Sequence, residues 1–177
     1  METQQLIRKA VLGNADALQQ IAEQHYDGIY AFCCRCTGSP QLGADLTQDT
    51  FLKMVQYLPA YKEKGVFKSW LFTIAANTCR DYFRKVKPQT PLEDYMPDTG
   101  PNSAFAAQTE NGDALRQAIN SLPDVQKEAI VLRYYHDFPL EEIAKITRVP
   151  LATVKTRLHR ALKRMQAYIG EAYLLET

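Results

Sequence analysis

The stretch LEEIAKITRVPLATVKTRLHRALKRM, from Leu140 to Met165, decides how the chain is read. Its apolar positions recur at helical spacing on either side of Arg148-Val149-Pro150, where the proline and a break in the pattern place a tight turn. A short helix ending near Thr147, that turn, and a second helix opening near Ala152-Thr153 give the spacing of a helix-turn-helix. Ile143, Ala144, Val149, Val154 and Leu158 take the apolar positions that lock the two helices together. On a helical wheel, Val154, Leu158, Ala161, Leu162 and Met165 share one side. Thr153, Thr156, Arg157, Arg160, Lys163 and Arg164 face away from it, with Lys155 and His159 at the flanks. No acidic residue lies between Glu142 and Glu171. One apolar face on an otherwise cationic, hydroxyl-bearing helix suits the DNA major groove. Its N-terminal part is expected to meet base edges, with Lys163 and Arg164 nearer phosphates.

Upstream of this unit, helices are predicted over 104–120 and 124–136, with breaks at Ser121-Leu122-Pro123 and Asp137-Phe138-Pro139. Residues 88–103, PQTPLEDYMPDTGPNS, hold four prolines and three acids. So little apolar surface cannot offset the entropy of ordering them, and they read as a linker. Before it, helices are predicted over 2–12, 14–37, 40–58 and 67–87, with Asn14 as an N-cap and Pro40 opening the third. No alternating run long enough for a sheet occurs. The expected fold is all-α: two small helical domains, 1–87 and 104–177, joined by a flexible acidic linker at 88–103.

The 177 residues carry a net charge of only +1, which conceals strong segregation. Residues 61–88 sum to +5 and 129–177 to +3, against −2 for 1–60 and −5 for 89–128. Two basic blocks divided by an acidic stretch suggest two sites for a polyanion. The overall balance argues against tight free-standing DNA binding, because phosphate neutralisation supplies most non-specific affinity. No apolar run approaches the roughly 20 residues of a membrane span. With no signal-like N-terminus, the chain is expected to stay cytoplasmic, without membrane insertion.

On the helix predicted over 67–87, Thr73, Asn77, Arg80, Arg84 and Lys87 form a polar stripe opposite Leu71, Ala75, Thr78, Tyr82 and Val86. Tyr61, Phe67, Trp70 and Phe72 interleave with the cations of the preceding loop. That mixture fits single-stranded nucleic acid, whose bases stack and whose phosphates need countercharge; for Trp70 and Phe72 the core is the stronger reading. Asp45 and Asp49 stand one turn apart with Gln48 beside them. No histidine, nucleophile or glycine-rich loop accompanies them, so a binding surface for a basic partner outweighs catalysis. Cys33 and Cys36 share a helical face that Cys34 leaves. Their spacing within one helix is not that of a structural zinc site, and they read as buried thiols; no metal or cofactor is expected.

The segments DLTQDTFLK (45–53), FKSWLFTIAANTCRDYFRK (67–85) and LPDVQKEAIVLRYYHDFPLEEIAKITRVPLATVKTRLHRALKRM (122–165) closely resemble bacterial sigma-70 family factors of the extracytoplasmic-function group. These consist of regions 2 and 4 alone. The resemblance implies a non-catalytic initiation subunit that binds core RNA polymerase, directs it to promoters and helps melt them. Asp45, Gln48, Asp49 and Leu52 would dock on the β′ clamp helices. Tyr61, Lys64, Phe67, Asn77, Arg80, Asp81 and Arg84 would read the −10 element. Thr153, Lys155, Thr156, Arg157, His159, Arg160, Lys163 and Arg164 would read the −35 element, their domain also resting on the β flap, and an anti-sigma factor is the expected regulator. The chain departs from the family where glycine is usual, at Arg148 and Ala152, and has Ala76 where an arginine is often found. A left-handed Arg148 costs on the order of 1 kcal/mol relative to glycine. Two readings compete: a conventional regulator with residues 1–87 as an effector or dimerisation domain, and a redox or metal protein using the cysteines and His25. Since a relaxed linker of this length spans about 25–30 Å, the free chain is expected to be more compact than the polymerase-bound one.

Overall fold

The computed structural model describes residues 2–86 and 110–175, so Lys87, the linker at 88–103 and the helix start expected at 104 lie outside the described residues. The N-terminal part is a bundle of α1 (Glu2–Val11), α2 (Ala15–Thr37), α3 (Pro40–Tyr57) and α4 (Phe67–Val86), with a 3-10 turn at Leu58–Ala60. The ends follow local chemistry. The Asn14 side chain caps α2 by accepting from the Ala17 N–H at 2.8 Å. Gly38, at φ 71°, closes that helix in the left-handed conformation glycine adopts without strain. Ser39 caps α3, and Pro40 takes its first position, where no N–H is needed.

Helices α2, α3 and α4 pack mutually, with α1 against α2. Gly43 lets α2 and α3 approach closely: a Cβ there would lie 2.9 Å from the backbone nitrogen and Cα of Cys34. Backbone cannot yield as a flexible side-chain tip can. Gly43→Ala should therefore destabilise by about 1–3 kcal/mol through overpacking, read as a lower urea midpoint at unchanged slope.

The C-terminal part comprises α5 (Glu110–Asn120), α6 (Asp124–Ile130), α7 (Leu140–Thr147) and α8 (Leu151–Leu175). Helix α8 packs on α5, α6 and α7. The single helix expected over 124–136 changes at Val131 into a π-helical turn, Val131–Tyr135. The wider turn ends with Asp137 at φ 55° and the Phe138 N–H donating to the Leu132 carbonyl at 3.1 Å. Arg148 caps α7 at φ 57°, ψ 42°, the left-handed geometry its place in the turn demanded. Helix α8 runs on to Leu175.

The two parts are in contact, burying one continuous apolar cluster. Helix α4 meets α7, while α2 meets α6 and the π-helical turn. His136 lies 4.8 Å from Phe72 and 6.0 Å from Phe32, ring to ring, and Phe138 lies 5.0 Å from Phe72. Lys68 donates to the His136 carbonyl at 3.5 Å and sits over the Phe138 ring, and Arg35 sits 4.0 Å over the Tyr135 ring. In this seam Gln126, Lys127 and Glu128 are all buried.

Candidate nucleic-acid interface

On α8 the wheel largely holds. Val154, Leu158, Ala161 and Met165 are buried, while Lys155, Thr156, His159, Arg160 and Lys163 are exposed. Thr153 is half-buried at the N-terminal end. Leu162 departs from expectation at 40% exposure, because it lies at the border of the apolar face, beyond the reach of α5 and α6. Arg157 and Arg164 are half-buried. The Arg157 charge acts on the Glu128 carboxyl, so this guanidinium also serves the interior of its own domain.

On α4, Trp70, Thr73, Asn77, Arg80 and Arg84 line one polar cleft of about 510 Å³ that Lys53 and Arg148 complete. Asp81 faces Lys53 at 3.9 Å and Arg84 at 3.8 Å, holding both cations at the rim. Opposite the stripe, Leu71, Ala75 and Thr78 are buried and Tyr82 half-buried. Val86 was expected on that apolar side but is 58% exposed, since the helix end overhangs the bundle. Arg80 is engaged across the seam: Nε lies 3.5 Å from Glu128 Oε1, and Nη2 donates to the Ile146 carbonyl at 3.2 Å. Burial pushes the Glu128 carboxyl up to about 7, against the pull of Arg80 and Arg157.

In the loop before α4, Lys64 is exposed and Gly65 takes φ 112°, a conformation that favours glycine. Tyr61, Phe67 and Trp70 form a three-ring cluster with centroids 4.7–5.4 Å apart. Phe67, at 6% exposure, is packed beneath the loop. Trp70 is half-buried and Phe72 is core, as their apolar neighbours implied.

On α3, Asp45, Gln48, Asp49 and Leu52 are all exposed on a single face, Leu52 at 59%, with Val55 one turn further on. Acids beside an uncovered leucine make a surface complementary to a basic, partly apolar partner. His25 packs against Phe67 at 5.5 Å and stands apart from the cysteines. Among the described residues, no group of three or more His, Cys, Asp or Glu is placed to hold a metal, and no helix is long and apolar enough to cross a membrane.

An all-α chain with a helix-turn-helix in one part and a cationic, aromatic-flanked helix in the other defines a class of two-part nucleic-acid-binding protein. Comparison with known proteins specifies it. Residues 21–88 match the family model for sigma-70 region 2 and residues 112–165 that for sigma-70 region 4. The chain is 28% identical to the ECF RNA polymerase sigma factor SigW of Bacillus subtilis, over 93% of this chain and 95% of that one. It is 34% identical to the RNA polymerase sigma factor SigV of the same organism, over 69% and 72% of the two chains. The solved structure of CnrH in complex with the cytosolic domain of CnrY has a similar fold (TM-score 0.70, 23% identity, 94% of this chain and 96% of that one). So does the sigma factor RpoE in complex with the anti-sigma factor NepR from Bartonella quintana (TM-score 0.64, 24% identity, 86% and 96%). The chain belongs to the sigma-70 family, in its extracytoplasmic-function group. It is a transcription initiation factor.

Proposed function

We propose that this sigma factor divides its work between residues 1–87 and 104–177, the first docking on core polymerase and reading the −10 element, the second reading the −35 element. The observation that carries the proposal is the exposed cationic face of α8, with Lys155, Thr156, His159, Arg160 and Lys163 free to enter a major groove. Thr153 at the helix start meets base edges, and Lys163 and Arg164 meet phosphates. Asp45, Gln48, Asp49 and Leu52 bind the β′ clamp helices through charge and an apolar contact. Tyr61, Lys64, Asn77, Arg80, Asp81 and Arg84 engage the opened −10 strand, with Phe67 supporting their loop. The second domain rests on the β flap, an anti-sigma factor covers these surfaces when transcription is off, and the protein acts in the cytoplasm.

Arg80 can serve DNA only after releasing Glu128 and the Ile146 carbonyl, so promoter reading requires the seam to open. Core polymerase supplies the means, by holding the two domains farther apart than their contact allows. The test adds purified protein and core polymerase to a promoter library and maps start sites. New starts that need both components are expected; start sites unchanged from core alone would overturn the reading. Arg160→Ala should cost about 1–3 kcal/mol in discrimination at the upstream element if the guanidinium pairs with a base. Unaltered discrimination would remove Arg160 from the reading face.

A further inference from the structure

Promoter reading and polymerase docking make no use of the thiols. Cys33 and Cys36 lie on the buried face of α2 and Cys79 on that of α4, all at most 5% exposed, whereas Cys34 turns outward to a half-buried position. The Cys79 thiol hydrogen-bonds to Cys33 Sγ across the α2–α4 packing at 3.9 Å. Thr47 and Thr50 on α3, also buried, act on the same sulfur while their hydroxyls donate to the Gly43 and Leu46 carbonyls at 2.6 and 2.7 Å. A second sulfur is thus already in contact with Cys33 inside an apolar core.

We propose that Cys33 and Cys79 form a redox couple, closing into a disulfide that cross-links α2 to α4 when the protein meets a hydroperoxide. The Cys33 thiol loses its proton and its sulfur attacks a peroxide oxygen. The O–O bond breaks, leaving a sulfenic acid on Cys33 and, from hydrogen peroxide, one water. The Cys79 sulfur then attacks the sulfenic sulfur; the S–S bond forms, the S–O bond breaks, and the departing hydroxide takes the Cys79 proton as a second water. Together the two sulfurs lose two electrons and the peroxide gains them.

The division of labour follows from surroundings. The Cys79 thiol, donating to Cys33 Sγ, pulls the Cys33 thiol below the ordinary range despite burial, while Cys79 is pushed well up. The Cys33 sulfur, which accepts the Cys79 hydrogen bond, is assigned as the nucleophile and Cys79 as the resolving thiol. Bonding needs the sulfurs to close from 3.9 Å to about 2.05 Å. The Glu128 charge acts on both Cys36 and Cys79, which places these thiols near α6. The cross-link spans 46 positions of sequence. It restricts the unfolded chain and pins Cys79, the neighbour of Arg80.

The full chain, treated with stoichiometric hydrogen peroxide, alkylated and peptide-mapped without reduction, tests this. Two of the four free thiols should disappear into one Cys33–Cys79 linked peptide, with Cys34 and Cys36 still alkylated. The urea midpoint should rise and return on adding a dithiol. Cys34→Ser should leave both results intact, whereas Cys79→Ala should abolish the link and the midpoint shift. Oxidation confined to Cys34, a link through Cys36, or four thiols surviving would each overturn the couple, and the wild-type map decides even if Cys79→Ala folds poorly. None of these readouts involves polymerase or promoter, so they stand or fall separately from the functional reading.

Discussion

Truncating Phe72 to alanine should lower the unfolding free energy by about 3–5 kcal/mol and, in addition, enlarge the molecule. The ring is 1% exposed and touches both halves: Phe32 at 5.5 Å within its own bundle, His136 at 4.8 Å and Phe138 at 5.0 Å across the seam. Its loss leaves a cavity in one domain and takes away the surface on which the other rests. Leu71, fully buried on the same helix, is the control; Leu71→Ala should cost about 2–5 kcal/mol with no change in size. Urea titration reads the first effect and small-angle scattering the second. An unchanged radius of gyration for Phe72→Ala would mean that the polar contacts alone hold the seam.

The electrostatics say they do not. The Glu128 carboxyl is raised to about 7 although Arg80 and Arg157 both pull it down. Removal from water therefore costs that carboxylate more than its two cations return, the usual fate of a buried ion pair. Affinity between the halves then comes from ring burial, each aromatic pair adding about 0.5–1.5 kcal/mol beyond its area. The Arg80 contacts fix the register in which the rings meet. A seam built this way can release Arg80 to DNA without forfeiting much of what closed it.

Most of the fold was legible because its signals are local. The Asn14 cap, the Pro40 start, the prolines between helices and the turn at Arg148 act within a few residues, and each appears where its chemistry put it. The α8 face and the α3 stripe were legible for the same reason, since a helical period alone sorts buried from exposed positions. What escaped depends on partners distant in sequence. Lys127 and Glu128 carry no sequence signal of burial, yet α6 lies in the seam and both are buried. Phe67 carried the composition of a base-stacking residue, and only the placement of Tyr61 and Trp70 around it shows a loop anchor. The close approach at Gly43 needed the path of α2 to be known. The π-helical turn leaves no periodic trace over five residues; its one advance sign was the Asp137-Phe138-Pro139 break that follows.

Two titrations on the seam should nearly cancel, and removing either should uncover the other. Glu128, packed among Arg80, Arg157 and Asp124, is raised from 4.5 to about 7 by burial. Its contribution to stability is complete below pH 4.5 and is lost as pH climbs through about 7. His136, among Arg35, Lys68 and Asp137, is lowered from 6.5 to about 4, chiefly by burial. Its contribution is complete above pH 6.5 and is lost as pH falls through about 4. Between 4.5 and 6.5 the native state holds one proton more than the unfolded chain at Glu128 and one fewer at His136, so their slopes oppose. Urea unfolding at half-unit pH steps should show little net slope from this pair in the wild type. In His136→Gln the Glu128 slope stands alone: stability should fall with rising pH across that window by up to about 1.4 kcal/mol per pH unit relative to wild type. In Glu128→Gln stability should rise over the same range. Comparing slopes rather than absolute stabilities removes the other carboxylates, which all three proteins share. Parallel curves for wild type and His136→Gln would mean that water reaches His136 freely, and the ring would then be no part of what holds the two domains together.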